Sequence, residues 1–447
     1  MLDDHIRREP GSVFAHLVEQ GQLVETEVTE KLHRELYPSQ TWYSMNSGVP
    51  YEKHQVFWYG DPKPAEHPLY WQVAARAGRS VGVVNTLHSS PLAQQCADGN
   101  FAFVIPDCFA ESPDTVPAKY RRFQELNLEL TNESGRNASV KPRLSYLGTG
   151  ASLPMLGVRP TTMGRVGAMA ARVATKRMNK ERLRVAQSML LSDMFVKLCR
   201  KHDPDLAVYF TNHVASAMHR YWYALFPDDW TEARYSDEWV ERYSDEIPAA
   251  MRALDNGIAD VWKWCEATDR TLVVLTSMGQ RAAPALDTSA TGTAVVRDPV
   301  RFAEALGVAS PFTVGLRHGP SDPLSVRHGR ARKLPRRSGY SDRGTLGESL
   351  LDVERPRVGR YPHLSTFGDL SERMPVRLGT TSSTHHRLWR SLWEPNRATT
   401  ARGHTIPQVL MLIADPLSML DRSLPPRVDA LDVAPTLLVG ASASSPR

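Results

Sequence analysis

The chain has 447 residues, with 54 Lys and Arg against 49 Asp and Glu, a net charge of +5, 41% hydrophobic and 23% charged residues. That composition describes a globular protein able to bury a large core and excludes a disordered one. The charge excess is small for this length, so it favours anionic small molecules and gives no reason to expect nucleic acid.

No run of 18 or more apolar residues occurs, so no membrane partner is expected. The opening MLDDHIRREP lacks the apolar segment of a secretory leader, which makes a cytoplasmic protein the expectation. Cys96, Cys108, Cys199 and Cys265 are scattered without a CxxC pair and read as free thiols.

In chain order, residues 1–35 predict a helix and then a second amphipathic stretch, with Phe14, Leu17, Val18 and Leu23 near helical spacing. Residues 37–42 form a turn-rich entry to a short helix ending at Gly48. LYWQVAARA at 69–77 predicts a helix closed by Gly78, and RSVGVVNT at 79–86 a buried strand, together one αβ unit. FAFVIP at 101–106 reads as a strand, and 131–141 as a Ser- and Asn-rich loop. The longest helical region is 163–202, whose arginines and lysines between Arg165 and Arg184 read as a solvated outer face.

DLAVYFTN at 205–212 is a strand that opens onto the helical HVASAMHRYWYALF. A helix over 246–266 leads straight into a second buried strand, TLVVLTS at 271–277. Residues 317–346 are basic and turn-rich, a long surface loop or flap. PQVLMLIADP at 407–416 is a strand and LDVAPTLLVG at 431–440 a closing helix. Apolar strands joined by helices, with polar residues at their C-terminal ends, predict an α/β fold. Its mainly parallel central sheet has helices on both faces and a ligand site along the C-terminal strand edge.

Four segments, in order, resemble the alkaline phosphatase superfamily near its type I phosphodiesterase/nucleotide pyrophosphatase branch. PSQTWYSMNSGVPYEKHQVF at 38–57 resembles the segment that presents a nucleophilic Thr or Ser, followed by PLYWQVAARAGRSVGVVN at 68–85. PDLAVYFTNHVASAMHRYW at 204–222 resembles the strand and turn that carry a metal-binding Asp and, four residues later, a His. TLVVLTSMGQ at 271–280 lies over a strand ending in Ser-Asp-His-Gly, and GHTIPQVLMLIADP at 403–416 over the segment with the last metal-binding His.

The resemblance implies one domain over 1–447, with 281–400 an insertion or cap. Relatives usually begin with a strand bearing an early metal-binding Asp, so the first sheet strand is expected to be missing. The resemblance further implies Thr41 as nucleophile, His219 and His404 as surviving metal ligands, and Ala215, Ser277 and Met278 where other ligands belong.

Ser hydroxyls and thioethers bind zinc or manganese weakly. The expected cofactor is therefore at most one divalent metal such as zinc or manganese, on His219 and His404. A hydroxyl needs a metal or a base to attack near neutral pH. Two functions follow: a divergent phospho- or sulfo-ester hydrolase or transferase acting through Thr41, or a catalytically inactive binder of an anionic ligand or partner protein. Asn212 and His213, at a strand end, and His54 are candidate ligand contacts. Bland readings stand beside these: Thr41 as a helix cap, His219 as a core histidine and His404 as a loop residue, while the His385-His386 pair, among Ser, Thr and Arg, is a candidate lining of the same cleft with no spacing that argues for a metal.

Overall fold

The computed structural model describes residues 1–30, 36–135, 144–231, 235–282, 403–417 and 427–443, together with six short strands between 293 and 396. Two compact units divide the chain. One comprises 1–128, 143–284 and 401–447, and the other 129–142 and 285–400.

The first unit opens with helices α1 (Leu2–Arg8) and α2 (Val13–Gln20) and strand β1 (Gln22–Glu27). Ser12 caps α2, its hydroxyl accepting the Ala15 N–H. The predicted second amphipathic stretch thus divides into a helix and a strand. Val24 and Thr26 are buried while Leu23 and Glu25 face outward, the two-residue alternation of a half-buried strand. Helices α3 (Pro38–Ser47), α4 (Tyr51–His54) and α5 (Tyr70–Arg76) follow, then strand β2 (Val81–Val84), helix α6 (Leu92–Gln95) and strand β3 (Phe101–Ile105).

Helices α7 (Arg121–Gly135), α8 (Leu144–Leu156), α9 (Pro160–Ala174) and α10 (Arg184–His202) lead to strand β4 (Leu206–Tyr209). The single helical region expected over 163–202 is therefore broken. Within its basic run, Arg182 is not a solvated side chain: it is largely buried against Glu246, with Nε–Oε2 at 2.8 Å. Helices α11 (His213–Leu225), α12 (Asp237–Tyr243) and α13 (Glu246–Thr268) precede strands β5 (Leu272–Leu275) and β6 (Gly279–Ala282).

The second unit contains β7 (Thr293–Val296), β8 (Phe312–Val314), β9 (Val326–His328), β10 (Leu351–Glu354), β11 (His363–Thr366) and β12 (Trp393–Asn396). They form three antiparallel pairs: β7 with β12, β8 with β9, and β10 with β11. The expected surface loop at 317–346 is in part strand β9, and the rest of it lies outside the described residues. The first unit closes with β13 (Gly403–Ile406), β14 (Gln408–Ala414), β15 (Arg427–Asp429) and helix α14 (Val433–Ala443).

The fold is mixed α/β, with sheets flanked by helices. The expected parallel sheet is present in part, and the described strands of this unit form two larger sheets of different character. One is three-stranded and parallel, ordered β3-β2-β4; the other is four-stranded and mixed, ordered β15-β1-β14-β5. Antiparallel pairing enters because β14 lies between β1 and β5 and runs against both. A separate antiparallel pair joins β6 to β13.

The main core packs α10 and α13 against residues of both sheets, including Val84, Phe103, Ile105, Leu412 and Ala414. A second core places Tyr43, Trp71, Ala74 and Ala434 over Val81, Val83 and Val104. The parallel sheet is thus covered on both faces, which is why β2 is apolar throughout. All four cysteines are free. Among the described residues no helix is long and apolar enough to cross a membrane.

Candidate functional site

Helix α3 is the centre of the site. Pro38 occupies its first turn, where a missing N–H costs nothing. Tyr37 is the N-cap, so the turn-rich reading of 37–42 gives way to helix from residue 38. Gly48 closes the helix at φ +67°, and a Cβ there would sit 3.2 Å from the Leu431 carbonyl oxygen, so the position calls for glycine.

Thr41 is therefore inside the helix and does not cap it. Its hydroxyl donates to the Tyr37 carbonyl at 3.2 Å, and its Oγ1 also lies 3.2 Å from Ser277 Oγ. The two hydroxyls are 236 positions apart in sequence and both are buried, each 2% exposed.

The first two turns of α3 rest on the loops that leave three strands. His88, beyond β2, reaches the Ser39 carbonyl with Nε2 at 2.5 Å. The Trp42 ring meets Phe210, just past β4, edge to face with centroids 5.1 Å apart. Ser277, two residues past β5, meets Thr41. Asn85 ties two of these strand ends together, its Nδ2 donating to the Phe210 carbonyl at 3.0 Å. The C-terminal strand edge therefore presents Thr41, Ser277, Asn85 and the N-terminus of α3 together, and a helix N-terminus favours an anion.

The other predicted residues are distributed differently. His219, on α11, has its Nε2 3.0 Å from the Gln280 side-chain nitrogen on β6. The Gln280 side-chain amide and the His219 ring are thus within hydrogen-bond distance, the direction depending on the His219 tautomer. His404 lies on β13 opposite Arg281 of β6, and α11 packs on both of these strands. The elements bearing His219 and His404 are thus neighbours.

Ala215 is half-buried on α11, and Met278 is half-buried beside Ser277. Among the described residues no three His, Cys, Asp or Glu side chains converge as a cation site requires. The His385-His386 pair falls outside the described residues.

His54 and His213 are buried and internally bonded. His54 Nδ1 accepts the Val56 N–H at 2.9 Å, so its Nε2–H donates to Ser44 Oγ at 2.8 Å. His213 Nε2–H donates to the Ala250 carbonyl at 3.0 Å, and its Nδ1 accepts from the Thr211 hydroxyl at 2.7 Å. Both rings use both nitrogens within the protein, His54 holding α3 to α4 and His213 holding the start of α11 to α13. Asn212 is exposed at the N-cap of α11, and its side chain makes no cap hydrogen bond.

Burial, with His67 nearby, lowers the His54 pKa to about 4, and burial lowers His213 to about 4, the Ala250 bond partly opposing it. Burial pushes the Asp107 carboxyl, at the end of β3, up to about 6. A histidine with a depressed folded pKa takes its proton more readily when unfolded. Its stability contribution is complete above pH 6.5 and is lost as the pH falls toward 4.

Asp107 works in the opposite sense. Its folded pKa is raised, so its contribution is complete below about pH 3.8 and is lost as the pH rises through 6. Two histidines outweigh one carboxyl, and these three groups together are expected to remove about 2 kcal/mol between pH 7 and pH 5. Urea midpoints measured at those two pH values check this; an unchanged or higher midpoint at pH 5 contradicts it.

Sequence reasoning passed over Gln280, Trp42, Asn85 and His88. The polar run after β2, Asn85 to Ser90, was the available signal, because polar residues at the C-terminal ends of parallel strands mark ligand edges.

No protein-family model and no curated protein matches the chain. Among solved structures, the chain is similar to a phosphonoacetate hydrolase from Sinorhizobium meliloti 1021, determined in complex with phosphonoacetate. The identity is 14% and the TM-score 0.39, over 96% of this chain and 89% of that one. At that distance the chemistry of the site is read from its own residues.

Proposed function

We propose that this protein acts on a phospho- or sulfo-ester, as a hydrolase or transferase, through the Thr41 hydroxyl, and that it descends from the alkaline phosphatase superfamily near its phosphodiesterase branch. The observation that carries this reading is the Thr41–Ser277 contact of 3.2 Å. Thr41 stands at the nucleophile position of the resemblance and Ser277 at the position of a metal-binding Asp, and the fold brings these two distant residues together. The N-terminus of α3 supplies the electrostatic environment for an anionic group next to Thr41.

A second reading, a binder of an anionic ligand without turnover, has its own observation. Among the described residues no His, Asp or Glu is hydrogen-bonded to Thr41, whose recorded partners are Tyr37 and Ser277. A Thr hydroxyl without such a base is a weak nucleophile.

Turnover of a panel of aryl phosphodiesters, phosphonates and sulfate esters, with and without zinc, manganese or magnesium, separates the two. The enzyme reading expects release of the aryl alcohol from at least one ester above the uncatalysed rate. Absence of turnover across the panel, with retained binding of the ester anion, establishes the binder instead.

Metal content is a further expected result. The binder reading expects the purified protein to carry less than about one tenth of an equivalent of zinc or manganese. A stoichiometric metal that is lost in His219→Ala would contradict this and place the ion at that histidine.

A further inference from the structure

Thr41 and Ser277 meet only while α3 keeps its place, and one carboxylate holds that helix. Glu30, three residues past β1, accepts the first N–H of α4, that of Tyr51, on Oε1 at 2.7 Å. Its Oε2 accepts from the Gln40 side-chain amide at 3.4 Å. The Ser44 hydroxyl bonds the same carboxylate. Gln40 and Ser44 are both buried and lie on either side of Thr41 along α3.

The three donors come from two helices, so the carboxylate ties α3 to α4. His54 of α4 strengthens the tie, its Nε2–H donating to Ser44 Oγ at 2.8 Å. On the other side stands Asp429, at the end of β15, near enough to repel Glu30. Its Oδ2 takes the Thr29 hydroxyl and its Oδ1 the Leu431 N–H at 2.9 Å, so it is fixed in place as an acceptor. Asp429 and His54 are the titratable side chains facing Glu30. Helix α3 brings only the uncharged Gln40 and Ser44, and Tyr51 contributes its backbone.

Burial, with the Asp429 charge, raises the Glu30 carboxyl above the ordinary 4.5, and its hydrogen bonds oppose this only in part. Its stability contribution is therefore complete below 4.5 and is lost as the pH rises through the folded value. At neutral pH the ionised group costs stability, and groups held at such a cost concentrate at functional sites.

Protonation has a definite place to act. Oε1 is committed to Tyr51 by the shorter bond, so Oε2 takes the proton from solvent and ceases to accept from Gln40. Gln40 is 1% exposed, so its freed amide must find another partner inside the protein, and the turn that carries Thr41 shifts with it.

We infer that Glu30 is a positioning residue for Thr41: its ionised carboxylate holds α3 on α4 so that Thr41 stays against Ser277, and a proton on Oε2 releases Gln40 and withdraws Thr41 from that contact. The inference deepens the proposed function as a regulation of the same site, and its effect on turnover rests on that reading. The movement of Thr41 does not.

The test follows the Thr41 methyl signal of the full chain, labelled at its threonine methyls, through a pH titration. Glu30→Gln keeps the bond to Tyr51 through its carbonyl and presents an NH2 group to Gln40, imitating the protonated state. The wild-type signal is expected to titrate with a midpoint above 4.5, and that step is expected to vanish in Glu30→Gln. Asp107 titrates near 6 at the end of β3 and His54 near 4, so the difference between the two proteins identifies Glu30. A step that persists in Glu30→Gln, or a Thr41 methyl that does not titrate, overturns the proposal.

Turnover is the second readout. Where the wild type turns over an ester, Glu30→Gln is expected to lower kcat at least about tenfold at neutral pH with KM little changed, as a misplaced nucleophile does. Its urea midpoint is expected to stay level or rise, because the buried charge is gone. A loss of kcat matched by a lower urea midpoint makes Glu30 merely structural and overturns its positioning role. Gln40→Ala cuts the same link from the helix side and is expected to lower kcat in the same way; full activity in that folded variant overturns the proposal. Absence of turnover in the wild type defeats the ester reading alone, and the methyl titration then decides the role of Glu30.

Discussion

Replacing Thr41 by Ala is expected to abolish ester turnover, a loss of about a thousandfold or more in kcat/KM, while leaving the protein folded. The two halves of that expectation have different causes. Removing the attacking atom of a covalent mechanism leaves only binding and electrostatics, and losses of that order are usual.

Stability is expected to fall by only about 1 kcal/mol, because the Thr41 hydroxyl makes one hydrogen bond back to Tyr37 and shares one with Ser277. Thr41→Ser keeps the hydroxyl and is expected to retain measurable turnover. Ser277→Ala removes the partner without removing the nucleophile, so it is expected to reduce turnover less than Thr41→Ala does. Steady-state kinetics on whichever ester the wild type turns over, beside a urea titration of each variant, decides the matter. Equal activity in wild type and Thr41→Ala would remove Thr41 from the chemistry.

Much of the fold was legible because it rests on local pattern. The buried strands at 81–84 and 101–105 and the helices at 70–76, 213–225 and 246–268 each show an apolar run or a helical period bounded by polar or glycine residues. What escaped the pattern is non-local. Strand β1 reads as Leu-Val-Glu-Thr, whose alternation is short and easily absorbed into the helix before it. Only its pairing with β14, such as Val24 opposite Met411, makes it a strand of a mixed sheet. Helix α3 began earlier than the turn-rich text of 37–42 suggested, because Pro38 is compatible with a first helical turn.

The site shows the same division. Residue type made His54 and His213 attractive as ligand contacts, but type does not say where a ring's two nitrogens go. The bonds to Val56 and Ser44, and to Ala250 and Thr211, commit them to holding helices in place. The nearness of Thr41 and Ser277 was legible only through the resemblance, since no spacing rule joins residues so far apart in sequence. Gln280 against His219 was legible in neither way, because it depends on how β6 sits against α11.

The second large effect lies beneath the site, at Gly82 in the middle strand of the parallel sheet. A Cβ built there would come within 2.0 Å of Cζ of the Phe103 ring, and Phe103 is fully buried. No real Cβ approaches an atom so closely, so either the ring or the strand must move. The ring has little room, since it is packed in the core shared by Val84, Ile105 and Leu198. The strand is held on both sides, by β3 and by β4.

Gly82→Ala is therefore expected to cost about 3 kcal/mol or more, at the upper end of what a single added methyl does to a packed core. A fall in the urea midpoint with little change in slope would register it. Shrinking the ring should relieve the clash: Phe103→Leu in the Gly82→Ala background is expected to recover part of the loss, although Phe103→Leu alone is destabilising. That sign reversal is the signature of two groups competing for one space. Simple additivity of the two substitutions would mean that the glycine is needed for some reason other than the ring. Because β2 leads directly to Asn85, which holds the Phe210 carbonyl, and to His88, which reaches α3 at Ser39, Gly82→Ala is also expected to lower any Thr41-dependent activity in the fraction that remains folded.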